Sequence, residues 1–219
     1  MELRTDRLVL RPVAEDDLDA LLAIRNAPEV IGTTNTGEPL PRERMAGQLE
    51  RRLASWRDHR LGSWLILLDG ESVGFVEVAP IGEGSGVDPD EIELGVVIHP
   101  QHWGKGIAAE AGLAVARDLF ERVGCARVYA GVDPTNEKSL RVVAKAPGVR
   151  KVDDELYELT AEASRPGDEA GPVPGRPGAD PSQPSSAAVV AAVAAVATFA
   201  TSTHGKPPSI DRCRYALHR

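Results

Sequence analysis

The chain has 219 residues and a formal net charge of −8, which allows one or two domains and argues against nucleic acid as its main partner. Cys125 and Cys213 lie far apart without metal-ligand spacing, which argues against a disulfide framework and favours a reducing compartment. Residues 1–7 are charged and lack the pattern of a signal peptide, so we expect a cytoplasmic protein.

The first 80 residues are predicted to contain two helices and three strands. Alternating apolar residues indicate strands, and apolar residues spaced three and four apart indicate helices. The dipeptide Asp69-Gly70 is typical of a tight turn between two strands. The predicted elements are, in order, a strand over 7–13, a helix over 15–26, a loop over 30–41, a helix over 41–59, and strands over 63–68 and 72–79.

The centre of the chain is predicted to form a strand over 91–98, a turn, and a long helix that begins near Ile107. In the turn, Gly104 and Gly106 flank Lys105, so backbone N–H groups can converge where the helix begins. The unpaired N–H groups of the first helical turn and the charge of Lys105 suit a phosphate or pyrophosphate. The alternative is a helix start that only needs small residues for packing.

A second strand, predicted over 127–132, should run parallel to the strand over 91–98 because a helix connects them. If the two strands splay at Gly95 or just beyond, the backbone between them is free to pair with an extended ligand. An ordinary closed sheet is the alternative. Asn136 then caps a helix that continues through Ala144.

Three segments, in matching order, carry a resemblance to a known family. Residues 101–108 (Gln-His-Trp-Gly-Lys-Gly-Ile-Ala) look like the [Gln/Arg]-x-x-Gly-x-[Gly/Ala] acyl-CoA loop of the GNAT superfamily of N-acetyltransferases. Residues 3–12 and 136–143 resemble the first strand and the Asn-x-x-Ser helix start of the branch that acetylates N-terminal amines of ribosomal proteins. The resemblance implies an α+β fold over residues 1–161, with a mixed, mostly antiparallel sheet, flanking helices and splayed central strands.

The same resemblance implies acetyl-CoA as co-substrate, a primary amine as acceptor, and no metal. A protein N-terminus, a polyamine and an aminoglycoside-type amine remain open as acceptors. Residues expected to contact CoA lie at the end of the central strand, in the turn and helix start that follow it, and at the start of the later helix. They are Val96, Val97, Ile98, Gln101, His102, Trp103, Gly104, Lys105, Gly106, Ile107, Ala108, Asn136 and Ser139.

Direct attack of the amine on the thioester requires a base for the amine and a proton for the leaving thiolate. Glu91 and Glu93 share one face of the strand beside the cleft, and Glu93 matches the acidic position of the family's Glu-x-Gly run. We expect Glu93 to act as the base, Ser139 to assist the thiolate, and a backbone N–H near Val97 to stabilise the oxyanion.

Val143 stands where many relatives have a tyrosine acid. Alternatively, both glutamates are solvated strand residues and Asn136 is only a helix cap.

The chain also departs from the family beyond this site. Gly131 stands where some relatives carry a glutamate, and Pro147 interrupts the usual Gly-Phe run. One short strand over 155–159 is therefore expected, with the second final strand shortened or lost. Residues 162–186 are predicted to form a Pro/Gly-rich disordered linker, followed by an Ala/Val-rich low-complexity tail over 187–219 whose apolar run is too short for a membrane span.

The function predicted from these features is acetyl transfer from acetyl-CoA to a primary amine, by a monomer or homodimer that binds neither nucleic acid nor membranes. A non-catalytic acyl-CoA-binding domain is the first alternative, because the tyrosine acid is missing and the final strands are compressed. A nucleotide-phosphate binder is the second, although the sequence lacks a Mg²⁺-ligand pattern.

Overall fold

The computed structural model describes residues 1–33, 37–80, 92–146 and 148–164. Within these ranges, eight strands form one sheet and five α-helices flank it. The strands are β1 (Leu3–Arg4), β2 (Leu8–Pro12), β3 (Trp64–Leu68), β4 (Glu71–Pro80), β5 (Ile92–Ile98), β6 (Arg127–Gly131), β7 (Val149–Lys151) and β8 (Leu156–Thr160). The helices are α1 (Leu18–Arg25), α2 (Pro28–Ile31), α3 (Arg42–His59), α4 (Ile107–Asp118) and α5 (Glu137–Ala144).

The sheet is mixed and mostly antiparallel, as the sequence predicts. Its strand order is β1-β2-β3-β4-β5-β6-β8-β7, and β5 with β6 forms the parallel pair. Helix α4 connects these two strands, which is why they run in the same direction. The predicted turn at Asp69-Gly70 forms with positive φ at both residues, 51° and 83°, as a two-residue hairpin of this kind requires.

The core has one layer on each side of the sheet. On one side, α4 packs against even-numbered β5 residues such as Leu94 and Val96. On the other side, α1 and α3 pack against odd-numbered residues such as Phe75 and Val97. Because successive side chains of a strand point to opposite faces, β5 is covered on both faces and its only uncovered direction lies within the plane of the sheet.

The end of the domain keeps both final strands, and one of them is short. β7 has only three residues and pairs antiparallel with β8, which in turn pairs with β6. The packed chain also extends to Ser164, three residues past the predicted boundary, where its carbonyl oxygen accepts a hydrogen bond from Arg117 Nε at 3.2 Å. The rest of the predicted linker and the whole predicted tail lie outside the described residues, as does Pro147.

Candidate functional site

The parallel strands β5 and β6 separate almost as soon as they pair. Only two residue pairs form, Ile92 with Val128 and Glu93 with Tyr129. The strands therefore splay just after Glu93, two residues before the predicted point. The N–H of Gly131 donates to the Glu93 carboxylate. This backbone N–H of β6 therefore pairs with a side chain of β5 and not with the β5 backbone.

The register of β4 and β5 decides which peptide groups of β5 face the opening. The N–H of His99 donates to Val73 O at 2.8 Å, and Val97 pairs with Phe75. Alternate residues of an antiparallel strand direct their peptide groups to opposite sides. The N–H of Val97 is thus directed to β4, so the predicted oxyanion donor near Val97 has to be a neighbouring N–H. The peptide groups of Val96 and Ile98 face the opening instead.

The turn after β5 brings two glycines into the left-handed region. Gly104 and Gly106 both have φ of 75°, and Gly106 is the N-cap of α4. Residues with a Cβ adopt this conformation only at a cost. Both glycines and Lys105 are exposed, whereas the side chain of Ile107 is buried in the core. The exposed N-terminus of α4 therefore adjoins the open side of β5, with its first N–H groups unpaired by the helix.

An ion pair between a buried glutamate and a half-exposed arginine contacts this turn. Glu110, in the first turns of α4, accepts hydrogen bonds from Arg7 Nε at 2.8 Å, from Arg7 Nη2 and from the hydroxyl of Thr5. Arg7 Nη1 also donates to the carbonyl oxygen of Lys105 at 2.9 Å. Arg7 thus joins the β1–β2 turn to the glycine turn. This pair was not predicted from the sequence, although Glu110 is the one charged residue in the first ten residues of α4.

The start of α5 forms the opposite wall of the opening. The Asn136 side chain accepts a hydrogen bond from the Ser139 N–H at 3.1 Å, so it is the predicted helix cap. Lys138 Nζ lies 3.9 Å from the ring centre of Trp103, whose indole N–H donates to Ile98 O at 2.7 Å. The predicted turn and the predicted helix start are therefore in direct contact at the end of β5.

Glu93 has an unusual electrostatic environment for a strand residue. Burial raises its pKa above the ordinary value of 4.5, and the nearby carboxylate of Glu77 raises it further, while the hydrogen bond from Gly131 acts in the opposite direction. A carboxylate with a raised pKa is a better proton acceptor. Glu91, the other predicted base, lies outside the described residues.

The predicted site residues fall into three groups on and around β5. Two of these residues do not face the opening, because the Ile107 side chain is buried in the core and the Val97 N–H is directed to β4. Those on β5 are Glu93, Val96, Val97 and Ile98; those in the turn and at the start of α4 are Gln101, His102, Trp103, Gly104, Lys105, Gly106, Ile107 and Ala108; those at the start of α5 are Asn136 and Ser139. Val143, at the position of the missing tyrosine, is buried.

Comparison with known proteins identifies the family. The family profile of the acetyltransferase (GNAT) domain matches residues 7–147. The chain therefore belongs to the GNAT acetyltransferase family, whose members use acetyl-CoA.

Individual relatives agree with this assignment. The chain is 27% identical over 145 residues to the uncharacterised N-acetyltransferase YoaA of Bacillus subtilis, covering 65% of this chain and 80% of the relative. An acetyltransferase structure from Agrobacterium tumefaciens is 30% identical with a TM-score of 0.57, covering 73% and 94% of the two chains. The structure of Mycobacterium smegmatis RimJ in complex with CoA-disulfide is 26% identical, also with a TM-score of 0.57, covering 74% and 87%.

The described residues contain no group of three or more His, Cys, Asp or Glu side chains arranged to hold a metal ion. Every helix in the same part of the chain is too short or too polar to span a bilayer.

The raised pKa of Glu93 predicts a pH-dependent effect of Glu93→Gln on stability. The folded state binds a proton at Glu93 more tightly than the unfolded state does, so the folded state loses stability as pH rises through the raised pKa. Glutamine does not ionise, so Glu93→Gln removes this loss of stability at high pH. Its amide oxygen can still accept the hydrogen bond from the Gly131 N–H. Denaturant unfolding should show that the variant is more stable than the wild type at pH 8, with a difference that shrinks towards pH 4.5.

The control is Glu71→Gln, which changes an exposed carboxylate on β4 and should show no such trend. A Glu93→Gln protein that is less stable than the wild type at pH 8 would contradict the burial argument.

Proposed function

We propose that this chain transfers the acetyl group of acetyl-CoA to a primary amine by direct attack within a ternary complex. The observation that supports this most is the position of a partly buried carboxylate, Glu93, at the end of an opening whose other end is the N-terminus of α4. The opening offers backbone groups to an extended ligand, and the helix N-terminus suits a diphosphate.

In this proposal, CoA lies along the opening between β5 and β6. The pantetheine amides pair with the peptide groups of Val96 and Ile98, and the pyrophosphate binds the N–H groups around Gly104 and Gly106 with help from Lys105. Gln101, His102, Trp103, Ala108 and Asn136 complete the walls. Positioning the two reactants in this way accounts for a large part of the expected rate enhancement.

Glu93 takes a proton from the ammonium group of the acceptor, and the neutral nitrogen then attacks the thioester carbonyl carbon. The N–H of Val96, instead of that of Val97, is placed to stabilise the oxyanion. The C–S bond breaks as the tetrahedral intermediate collapses, the nitrogen loses its second proton, and the thiolate takes up one proton with assistance from Ser139. The net products are an N-acetylated amine, CoA and one released proton.

The direct test is thiol release from acetyl-CoA by the full chain with a panel of primary amines. Wild-type protein should release thiol only when an acceptor is present, and Glu93→Gln should lower kcat by about a hundredfold or more while leaving the Kd for acetyl-CoA nearly unchanged. If CoA binds but no amine is acetylated, the chain is a non-catalytic acyl-CoA-binding domain. That alternative is motivated by buried Val143 in place of a tyrosine acid.

The ion pair between Arg7 and Glu110, which contacts the glycine turn, leads to a second prediction. Glu110→Gln weakens the attachment of Arg7 to the turn, so the N–H groups of the turn are held less firmly for the pyrophosphate. Calorimetry should show acetyl-CoA binding weakened by about tenfold, which corresponds to roughly 1.4 kcal/mol.

Asp17→Asn is the matched control for Glu110→Gln. Asp17 is also buried and also pairs with an arginine of the N-terminal hairpin, Arg11, at 2.7 Å, but it lies away from the glycine turn. Both variants should lose stability, by about 1–3 kcal/mol, and only Glu110→Gln should lose affinity for acetyl-CoA. Equal affinities in the two variants would remove the ion pair from cofactor binding.

A further inference from the structure

Charged side chains are concentrated on the sheet face that α1 and α3 cover. Glu77 lies opposite Gly95, and Glu93 lies opposite Ala79, so the two glutamates are diagonal neighbours on this face. Gly95 has no side chain, so β5 places none next to Glu93 at the position opposite Glu77. Because Glu93 is the proposed base, an acceptor would place its amine beside this carboxylate.

One arginine next to these glutamates is fully engaged. Arg52, from α3, forms an ion pair with Glu77. Its guanidinium carbon lies 5.3 Å from the ring centre of Phe75, and its Nη1 lies 3.9 Å from Met45 Sδ. Both charges of this pair are largely buried and compensate each other, so neither is available as a full charge for a ligand.

Arg25, the last residue of α1, is not engaged in this way. Its Nη1 is buried and has no hydrogen-bond partner among the described residues, and no ion pair of Arg25 occurs there either. Burial lowers the pKa of Arg25, the carboxylate of Glu77 acts in the opposite direction, and Arg52 lowers it further. A buried guanidinium nitrogen without an acceptor destabilises the fold unless a ligand supplies one.

We propose that Arg25 binds a carboxylate carried by the acceptor, so that the acceptor is a zwitterionic amine. Its ammonium group lies beside Glu93, and its carboxylate accepts hydrogen bonds from Arg25. Each charged group of such an acceptor then contacts a side chain of the opposite charge on this face. It selects amino acids, or peptides with an acidic residue at the N-terminus, over polyamines and aminoglycosides, which lack a negative group. The inference rests on the proposed acetyl transfer and adds the substrate class.

The test compares pairs of acceptors that differ only in the negative charge. β-Alanine against β-alaninamide tests a free amino acid, and Asp-Ala-amide against Asn-Ala-amide tests an acidic peptide N-terminus. Wild-type kcat/KM should favour the carboxylate member of at least one pair by about tenfold to a hundredfold, the effect of one charged hydrogen bond. A preference within the β-alanine pair indicates a free amino acid as acceptor, and a preference within the Asp-Ala-amide pair indicates an acidic peptide N-terminus.

Arg25→Gln should reduce that preference to nearly one, with an unchanged KM for acetyl-CoA. Arg51→Gln removes the same charge from an exposed position on α3 and should keep the wild-type preference. Denaturant unfolding gives a separate readout, because removal of an uncompensated buried charge should leave Arg25→Gln at least as stable as the wild type. A purely structural arginine would instead lower stability when replaced and leave the preference intact.

Each further outcome overturns a defined part of the proposal. Equal kcat/KM within both pairs, with the amines still acetylated, refutes the role of Arg25 and leaves acetyl transfer standing. A preference for spermidine over every carboxylate-bearing amine has the same consequence. If no amine of the panel is acetylated, the proposed function fails and this inference fails with it.

Discussion

The site depends on an incomplete pairing of two parallel strands. Backbone N–H and C=O groups inside a protein are almost always hydrogen-bonded, yet β5 gives up its parallel partner after Glu93. The faces of β5 are covered by α4 on one side and by α1 and α3 on the other, so the unpaired groups lie at an edge within the sheet. A ligand made of a chain of amides satisfies such an edge as another strand would. Under the proposed function, this edge is where the amides of CoA pair.

Two long-range contacts make this opening a defined site. Arg7 and Glu110 join the N-terminal hairpin to the start of α4, which fixes the glycine turn at one end. Lys138 and Trp103 join the start of α5 to the same turn at the end of β5. The residues of each pair are far apart in sequence, so the site forms only when the whole domain has folded.

Much of this arrangement could be predicted from the sequence, and the reasons are local. Some patterns depend only on residues that are close in sequence, and these predicted the strands, the hairpin and the helix start. They are the alternation of apolar residues, the Asp69-Gly70 dipeptide and the glycine turn. The direction of a peptide group depends on register with another strand, so the sequence indicated an N–H near Val97 and could not tell that Val96 faces the opening. The roles of Arg7 and Arg25 depend on packing between distant segments, which periodicity does not report. Whether the second final strand is shortened or lost stayed open, because the three residues of β7 carry too little pattern.

Residue-resolved amide hydrogen exchange of β5 tests the central claim most directly. The N–H groups of Val96 and Ile98 face the opening, whereas that of Val97 is directed to β4. Saturating acetyl-CoA should slow exchange at Val96 and Ile98 by about tenfold or more beyond any change at Val97, since an amide paired to a ligand exchanges only after the ligand leaves. Uniform slowing across all three residues, or no change at Val96 with the cofactor bound, would contradict strand-like binding in the opening between β5 and β6.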